Sequence, residues 1–176
     1  MQISPIPTLS DEINDIRTRT ANIVAEKIIP NEKEIYSKSE NSSSVRKEIR
    51  DEVKKEKLWA PHLPEEYGGM GLDDYRYNTI LIEESVKAEN PGFGHSVQND
   101  LVVPYLLRHT TEEQKKRWLP KICSGETIGA LAMTEPGGGS DVAAIKTLAK
   151  DMGDHFLVNG SKSFITNGLL ADLVIV

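Results

Sequence analysis

The feature that most constrains the fold is a change in hydrophobic periodicity well past the middle of the 176-residue chain. Up to about residue 125, apolar residues recur three and four positions apart, which is the spacing of one face of a helix. From residue 126 onward, short apolar and alternating runs are bounded by glycine and polar turns, as is typical of strands. We therefore predict an α+β protein, with a helical bundle over residues 1–125 and the beginning of an antiparallel β domain over residues 126–176.

Several local signals bound the predicted helices. A hydroxyl followed three residues later by a carboxylate marks a helix start at two places: Thr8 with Asp11, and Thr110 with Glu113. Pro30 should end or kink the first helix, because proline lacks a backbone N–H and clashes with the preceding turn. The polar stretch 41–44 is expected to separate this helix from a second one that ends near Leu58.

The predicted strands share short apolar runs that end in turn residues: 128–133, 146–150, 156–158 and 173–176. Gly153 and Asp154 lie between the second and third runs and predict a hairpin turn. The β region therefore contains at least one antiparallel hairpin.

A glycine-rich loop follows the first predicted strand. Pro136 and three consecutive glycines precede Ser140 and Asp141. Glycine allows a tight loop whose N–H groups can approach an anion, because no Cβ blocks the backbone. The loop matches neither the P-loop, which needs a lysine, nor the dinucleotide fingerprint, where Val142 occupies the place of the third glycine. From the residues alone, an anion-binding loop and a plain turn are both open.

Two segments carry a resemblance to a known family. Residues 133–141, Met-Thr-Glu-Pro-Gly-Gly-Gly-Ser-Asp, resemble the signature of the acyl-CoA dehydrogenases. Residues 159–168, Asn-Gly-Ser-Lys-Ser-Phe-Ile-Thr-Asn-Gly, resemble the second flavin-contacting segment of that family. The two segments occur in the family's order and at its close spacing. The similarity runs from about Leu9 to Val176, and the residue choices are most like those of the long-chain type.

The resemblance implies FAD as the cofactor. The implied FAD contacts lie in or beside the two matched segments: Leu131, Met133, Thr134, Gly139, Ser140, Phe164, Ile165 and Thr166. Thr134 and Thr166 would bond polar atoms of the flavin ring, and Phe164 would cover one ring face. Without the resemblance, Phe164 is more simply interpreted as a core aromatic residue.

The resemblance also implies an acyl-CoA substrate, with Ser140 near a phosphate group of FAD or of the substrate. Phe93, Val97 and Leu101 recur at i, i+4 and i+8, so one helix could present all three to the acyl tail. Ordinary core packing explains the same stripe equally well.

The implied reaction is α,β-dehydrogenation of the fatty-acid β-oxidation type. A base removes the α-proton, the β-hydrogen leaves as hydride to the flavin, and the product is a trans-2-enoyl-CoA. Electrons then pass to an electron-transferring flavoprotein, and the full-length enzyme is expected to be a homotetramer. No glutamate of residues 1–176 matches the family's catalytic base, so no catalytic residue is assigned. We expect that the base lies in a later part of a longer chain and that residues 1–176 alone are inactive.

Adjacent glutamates on the third predicted helix, Glu83 and Glu84, offer a candidate acid pair. Neighbouring residues on a helix point in different directions, so a solvated face with one tertiary contact is the preferred interpretation.

Composition and charge exclude several classes of function. The net charge of −6 disfavours binding to nucleic acid or to an anionic membrane surface. Four histidines and the lone Cys123 form no metal-ligand pattern, and no apolar run reaches the length of a membrane span. No signal peptide is recognised, so the expected location is the cytoplasm of a bacterium or the mitochondrial matrix of a eukaryote.

Two alternative functions remain open from the sequence. An acyl-CoA oxidase or a nitroalkane-oxidising relative would share the fold and differ in its access to oxygen. A non-catalytic helical interaction module would have lost flavin binding, so flavin absorbance separates it from both enzymes.

Overall fold

The computed structural model of the protein describes residues 9–37, 39–72, 74–88 and 96–176. Its α-helices are Asp11–Ile23 (α1), Glu32–Ile35 (α2), Glu40–Lys55 (α3), Arg76–Ser85 (α4), Val103–His109 (α5) and Glu112–Cys123 (α6). Its strands are Gly129–Leu131 (β1), Leu148–Asp151 (β2), Phe156–Asn159 (β3) and Leu173–Ile175 (β4). All of these α-helices end before the first strand begins, and the only helical structure described after β1 is a 3-10 turn, Val142–Ala144, which confirms the predicted fold class.

Two turns of π-helix interrupt the regular helices, at Val24–Ile28 and Val97–Val102. The first continues from α1 into a short 3-10 turn, Ile29–Asn31, which contains Pro30. Pro30 therefore changes the helix type rather than ending the helical path, since α2 follows directly. In the described part of the chain, no helix combines the length and apolarity that a bilayer span requires.

The N-terminus of α1 differs from the prediction. Ser10 is the capping residue, and its hydroxyl accepts a hydrogen bond from the Ile13 N–H at 3.4 Å. The predicted start residue, Thr8, lies outside the described residues.

The capping box of α6 is displaced by one residue from the prediction. It is formed by Thr111 with Gln114. The Thr111 N–H donates to the Gln114 side-chain oxygen at 2.9 Å, and the Gln114 N–H donates to the Thr111 hydroxyl at 3.2 Å. Thr110 instead donates its hydroxyl to the Leu106 carbonyl at the end of α5. Two adjacent threonines followed by Glu113 and Gln114 fit the same pattern, so spacing could not decide between them.

The predicted break at residues 41–44 is wrong, because these residues form the first turns of α3. The hydroxyl of Ser39 caps the helix by accepting from the Ser42 N–H at 3.2 Å. Ser42 is itself buried and donates its hydroxyl to the Ile35 carbonyl at 3.3 Å. The run of serines thus starts a helix and joins α2 to α3, and α3 ends at Lys55 rather than near Leu58.

The two adjacent glutamates of α4 both contact α1. Arg17 donates to Glu83 and to Glu84 at 2.7 Å each. Glu84 is buried, with its side chain 1% exposed, so the predicted solvated face is wrong for this residue. Because Arg17 supplies a partner for the buried charge, the pair helps to fix α1 against α4.

The helical region has two apolar cores. The first joins α1, α3 and α4 and includes Ile16, Ile23, Ile28, Ile49, Val53, Leu58, Tyr77 and Leu81. The second joins α5 and α6 and includes Ala60, Leu63, Val102, Val103, Leu106, Leu119 and Ile122. Leu173 and Ile175 of β4 pack against the second core, and this contact anchors the β region on the helices.

The β region contains two separate ladders. β2 pairs with β3 in antiparallel register, from Leu148 opposite Asn159 to Asp151 opposite Phe156, and Gly153 turns between them with φ +98°. This hairpin confirms the predicted turn. β1 and β4 are parallel, which differs from the prediction: the long segment between them returns the chain to the end where β1 began.

Candidate functional site

The structure brings together the two segments that the sequence singled out. The Ser163 N–H donates to the Thr134 carbonyl at 3.0 Å. The Lys162 ammonium donates to the Met133 carbonyl at 3.0 Å. Segments some thirty residues apart in the chain are therefore direct neighbours at the C-terminal end of β1.

The glycine loop that follows β1 is closed by its own backbone. The N–H and carbonyl groups of Glu135 and Gly138 bond each other reciprocally at 3.1 Å. A Cβ at Gly137 or Gly138 would meet nothing within 4 Å, and one at Gly139 would meet only the Thr134 methyl at 3.9 Å. None of these three described glycines has a positive φ, so access to the left-handed conformation is not the reason for glycine here. The loop instead presents bare, exposed backbone on its outer side.

Phe164 is directed away from the protein. Its side chain is 94% exposed, so it is not a core aromatic residue. Its backbone has φ +56°, a left-handed conformation that is unusual for a bulky residue and costs on the order of 1–3 kcal/mol. Asn167 has φ +64° and donates its side-chain amide to the Gly129 carbonyl at 3.3 Å, which ties the end of this segment to β1. Strain of this kind is typical of functional loops.

The other predicted FAD contacts differ in their exposure. Ser140, Thr166 and Met133 are exposed, whereas Leu131, Thr134 and Ile165 are half-buried. The predicted set therefore presents three hydroxyl groups together with apolar side chains. Ser163 adds a hydroxyl oxygen that is buried and has no hydrogen-bond partner among the described residues.

A carboxylate organises the inner side of the site. Glu135 accepts from the N–H groups of Lys146 and Thr147 at 2.8 Å each, from the Thr147 hydroxyl, and from the Lys162 ammonium at 3.0 Å. The Thr147 hydroxyl and the two backbone N–H groups lower the pKa of Glu135 to about 2. A carboxylate held so firmly in its ionised form is a poor proton acceptor near neutral pH. This agrees with the expectation that Glu135 is not the catalytic base.

The predicted substrate residues are less well grouped. Val97 packs against the second apolar core, whereas Leu101 is 42% exposed. Both lie in the π-helical turn Val97–Val102, whose wider spacing removes the i, i+4 alignment that an α-helix would give them. Phe93 lies outside the described residues. Their contact with an acyl chain therefore stays a prediction.

Comparison with known proteins decides the family. A model of the N-terminal domain of acyl-CoA dehydrogenases matches residues 10–126, and a model of the middle domain of the same enzymes matches residues 130–176. The chain belongs to the acyl-CoA dehydrogenase family. The resemblance stated from residues 133–141 and 159–168 is thereby confirmed.

Curated relatives in this family include enzymes of different acyl specificity. The long-chain specific acyl-CoA dehydrogenase of Sus scrofa mitochondria is 38% identical over 167 residues, which cover 95% of this chain and 38% of the relative. The mitochondrial isovaleryl-CoA dehydrogenase of Pongo abelii is 37% identical over 169 residues, covering 96% of this chain and 39% of the relative. The chain thus spans about two-fifths of the length of these relatives.

Solved structures of acyl-CoA dehydrogenases share the fold. The enzyme from Geobacillus kaustophilus has a TM-score of 0.79 at 35% identity, covering 97% of this chain and 44% of the other. The acyl-CoA dehydrogenase of Bacillus anthracis, which was solved in complex with FAD, has a TM-score of 0.86 at 29% identity, covering 99% of this chain and 30% of the other. These matches extend over both the helical and the β regions.

Sequence reasoning missed two buried amides in this chain. Gln98 accepts from the Gly129 N–H at 2.7 Å and donates to the Thr127 carbonyl at 3.1 Å, so it fixes the start of β1. Asn99 accepts from the Ala60 N–H at 2.9 Å. The available signal was a pair of amide side chains close to the apolar run at residues 101–103, since amides buried beside such a run need partners.

Gly160 is a third residue that sequence reasoning left without a role. A Cβ at this position would lie 2.2 Å from the Thr147 hydroxyl oxygen. Glycine is therefore required for the close approach of the segment after β3 to the threonine that holds Glu135. The resemblance covered Gly160, but its partner could not be read from local sequence.

Proposed function

We propose that this chain forms part of the FAD site of an enzyme that dehydrogenates acyl-CoA thioesters to trans-2-enoyl-CoA. The observation that carries the proposal is the direct contact between residues 133–134 and 162–163. This contact places an outward aromatic side chain and several hydroxyls beside a bare glycine loop. Such an arrangement suits a large, flat, phosphorylated ligand better than a metal ion or a nucleic acid.

The residues present fit FAD. Phe164 is exposed in a strained backbone conformation, as a residue held for contact with a ring would be. Ser163 has a buried hydroxyl oxygen that lacks a partner among the described residues, and such groups normally require one. The outer side of the glycine loop leaves room for phosphate oxygens to approach backbone N–H groups. Two solved relatives support the assignment, because they are described as complexes with FAD and with FADH2.

Each residue has a proposed task in the reaction. When bound, FAD supplies the acceptor for the hydride that leaves the substrate β-carbon. Thr134 and Thr166 would orient the ring by hydrogen bonds, and Phe164 would cover one face of it and exclude water. Gly139 and Ser140 would bind phosphate oxygens of FAD or of the acyl-CoA.

The proton chemistry is proposed to come from outside residues 1–176. Removal of an α-proton needs a base within reach of that carbon, and Glu135 is engaged by four donors. We further propose fatty-acid β-oxidation as the setting, an electron-transferring flavoprotein as the electron acceptor and a homotetramer as the full-length assembly. The cytoplasm or the mitochondrial matrix is the proposed location. The long-chain and isovaleryl-CoA relatives define the substrates to test first.

Anaerobic reduction of the flavin tests the proposal. The purified full-length protein should show flavin absorbance, which should bleach when a long-chain or branched acyl-CoA is added. Mass spectrometry should then find the enoyl-CoA, two mass units lighter by loss of two hydrogens. A protein without flavin, or with flavin that no acyl-CoA bleaches, would refute the proposed function. Reoxidation by electron-transferring flavoprotein but not by oxygen would exclude the oxidase alternative.

A further inference from the structure

The Glu135 side chain lies where three chain segments meet. One carboxylate oxygen accepts from the Lys146 N–H, and the other accepts from the Thr147 N–H and hydroxyl and from the Lys162 ammonium. The side chain is only 12% exposed. Four donors from two segments thus converge on one carboxylate that belongs to the segment carrying Thr134.

These contacts connect parts of the β region that strand pairing leaves separate. In the described residues, β1 pairs with β4 and β2 pairs with β3, and the two ladders share no strand. Glu135 follows β1, whereas Lys146 and Thr147 precede β2 and Lys162 follows β3. Lys162 also donates to the Met133 carbonyl at 3.0 Å, so its ammonium bridges the backbone and the side chain of the same segment. The Ser163 N–H bond to the Thr134 carbonyl joins the same parts, so the spacing of the two ladders is set by this carboxylate together with that backbone bond.

Thr147 is held from both sides. Its N–H and hydroxyl both donate to Glu135, and its side chain packs against the backbone of Gly160. A Cβ at Gly160 would lie 2.2 Å from the Thr147 hydroxyl oxygen and 2.7 Å from its methyl carbon. The segment after β3 can therefore approach the first ladder only because Thr147 and Gly160 fit together at this point.

We propose that Glu135 is a positioning residue for the FAD site, which fixes the distance between Thr134 and the segment carrying Phe164 and Thr166 by holding Thr147 and Lys162. The inference rests on the proposed function, since it concerns the same site. Glu135 acts through these neighbours and not by touching the reacting atoms. Loss of the carboxylate should let the two ladders separate, so both FAD affinity and the environment of the bound flavin should change.

The ionisation of the Glu135 carboxylate determines how the effect of replacing it should depend on pH. The donors around Glu135 lower its pKa to about 2, so it stays ionised at about pH 5 and above. The effect of replacing it by glutamine should therefore be constant from about pH 5 to about pH 8. An acid–base role would instead make the effect vary with pH.

The test compares variants of the full-length protein. Glu135→Gln keeps the shape and removes the charge, Thr147→Val removes the hydroxyl donor, and Thr147→Ser restores it. Glu48→Gln is the matched control, because Glu48 also bonds a lysine of a distant segment, Lys27, at 2.8 Å, but does so in the helical region. The readouts are FAD affinity by titration of the apoprotein, visible circular dichroism of the bound flavin, and hydrogen exchange of the Lys146 and Thr147 amides.

We expect Glu135→Gln and Thr147→Val to weaken FAD binding about tenfold, because the first replaces an acceptor oxygen of the carboxylate by an amide donor and the second removes a donor to it. Both should alter the visible circular dichroism at saturating FAD and speed amide exchange at residues 146 and 147. Thr147→Ser should recover most of the affinity, and Glu48→Gln should match the unsubstituted protein. A purely structural role would lower the melting temperature without changing the spectrum of the bound flavin.

The outcomes separate the inference from the proposed function. Unchanged affinity and spectrum in both Glu135→Gln and Thr147→Val would overturn the inference and leave the proposed function intact. If Glu135→Gln does not fold, the inference is tested by Thr147→Val and Thr147→Ser, of which only the first should weaken FAD binding strongly. No FAD binding by the unsubstituted protein would refute the proposed function and this inference together.

Discussion

The helical and β regions are held together by different forces. The helical region encloses two apolar cores, in which Ile16, Ile49 and Leu119 are almost completely buried. In the β region, β4 packs against the second core, but every residue of the β2–β3 hairpin is exposed, and the hairpin is ordered by backbone pairing and by polar contacts at Glu135. The helices therefore form a scaffold that burial stabilises, whereas the proposed FAD site depends on a few directional hydrogen bonds.

The largest expected effect concerns catalysis and tests whether either region contains a base. Residues 1–176 alone should convert no acyl-CoA, because none of their glutamates matches the family's catalytic base and the carboxylate beside the site, Glu135, is held ionised by four donors. The measurement is turnover with FAD, a long-chain acyl-CoA and an artificial electron acceptor. Turnover above a protein-free control that is lost on replacing a carboxylate of residues 1–176 would show that the base had been misplaced.

The next largest effect tests the scaffold. Ile49→Ala removes a side chain that is 1% exposed in the first core. Such truncations leave a cavity and lower the free energy of unfolding by about 2–5 kcal/mol. Urea denaturation followed by far-ultraviolet circular dichroism measures the change. A decrease in the free energy of unfolding of less than about 1 kcal/mol would mean that the helical core repacks easily. Burial would then contribute less to the stability of the helical region than its buried side chains indicate.

The third prediction compares two groups whose pKa is lowered for opposite reasons. Donors lower the pKa of Glu135 by stabilising its charge, whereas burial lowers the pKa of His62 to about 4 by penalising its charge. Both ring nitrogens of His62 are buried without a partner among the described residues, and the ring stacks on Tyr77 at 5.8 Å. The unfolded histidine binds a proton near pH ~6.5, before the folded one does. Above that pH, His62 therefore does not reduce the free energy of unfolding. Its contribution lowers the free energy of unfolding as the pH falls from there towards 4.

The slope should be at most ~1.4 kcal/mol per pH unit from one group. Glu135 contributes in a lower window, since its stabilisation is present above the ordinary pKa of 4.5 and is lost as the pH falls towards 2. His62→Phe keeps the stacking on Tyr77 and should flatten the dependence between about pH 6.5 and about pH 4.5. Urea unfolding at several pH values is the measurement. An equally steep dependence in the variant would assign the acid sensitivity to other groups.

Substitutions at two glycines of the β region, Gly139 and Gly160, should affect different properties of the protein. Gly139→Val adds a side chain where a Cβ meets only the Thr134 methyl at 3.9 Å, so folding should tolerate it. The added bulk covers the exposed loop backbone, and FAD affinity should fall at least about tenfold. Gly160→Ala should instead lower the free energy of unfolding by about 1–3 kcal/mol, because its Cβ would clash with Thr147. Equal losses of apoprotein stability in both variants would contradict a cofactor-specific role for Gly139.

How much could be predicted from sequence also differs between the regions. The switch from helix to strand, the four strands and the turn at Gly153 follow from local periodicity and turn chemistry. The roles of Gln98 and Glu135 do not, because each contacts segments that lie far away in the chain. The outward position of Phe164 was also hidden, since an apolar aromatic residue is normally buried. Local patterns thus specify elements, whereas the site arises from contacts between elements.

Local ambiguity explains the smaller errors. The serines after Ser39 fit both a polar break and a capped helix, and only the burial of Ser42 against α2 distinguishes the two. The α6 cap was misplaced by one residue because Thr110 and Thr111 both precede a suitable partner. The π-helical turn at Val97–Val102 breaks the α-helical spacing on which the predicted substrate stripe depended.

The smallest expected effect lies in the β2–β3 hairpin. Leu157 is 49% exposed and belongs to a strand whose residues are all exposed, so Leu157→Ser removes little buried surface. The free energy of unfolding should change by no more than about 0.5 kcal/mol. Self-association should decrease at the same time, because exposed apolar residues on a paired strand favour contacts between molecules. Urea unfolding and sedimentation velocity of residues 1–176 measure the two effects. A loss of stability close to that of Ile49→Ala would mean that the hairpin contributes to a core, and the contrast between the two regions would no longer hold.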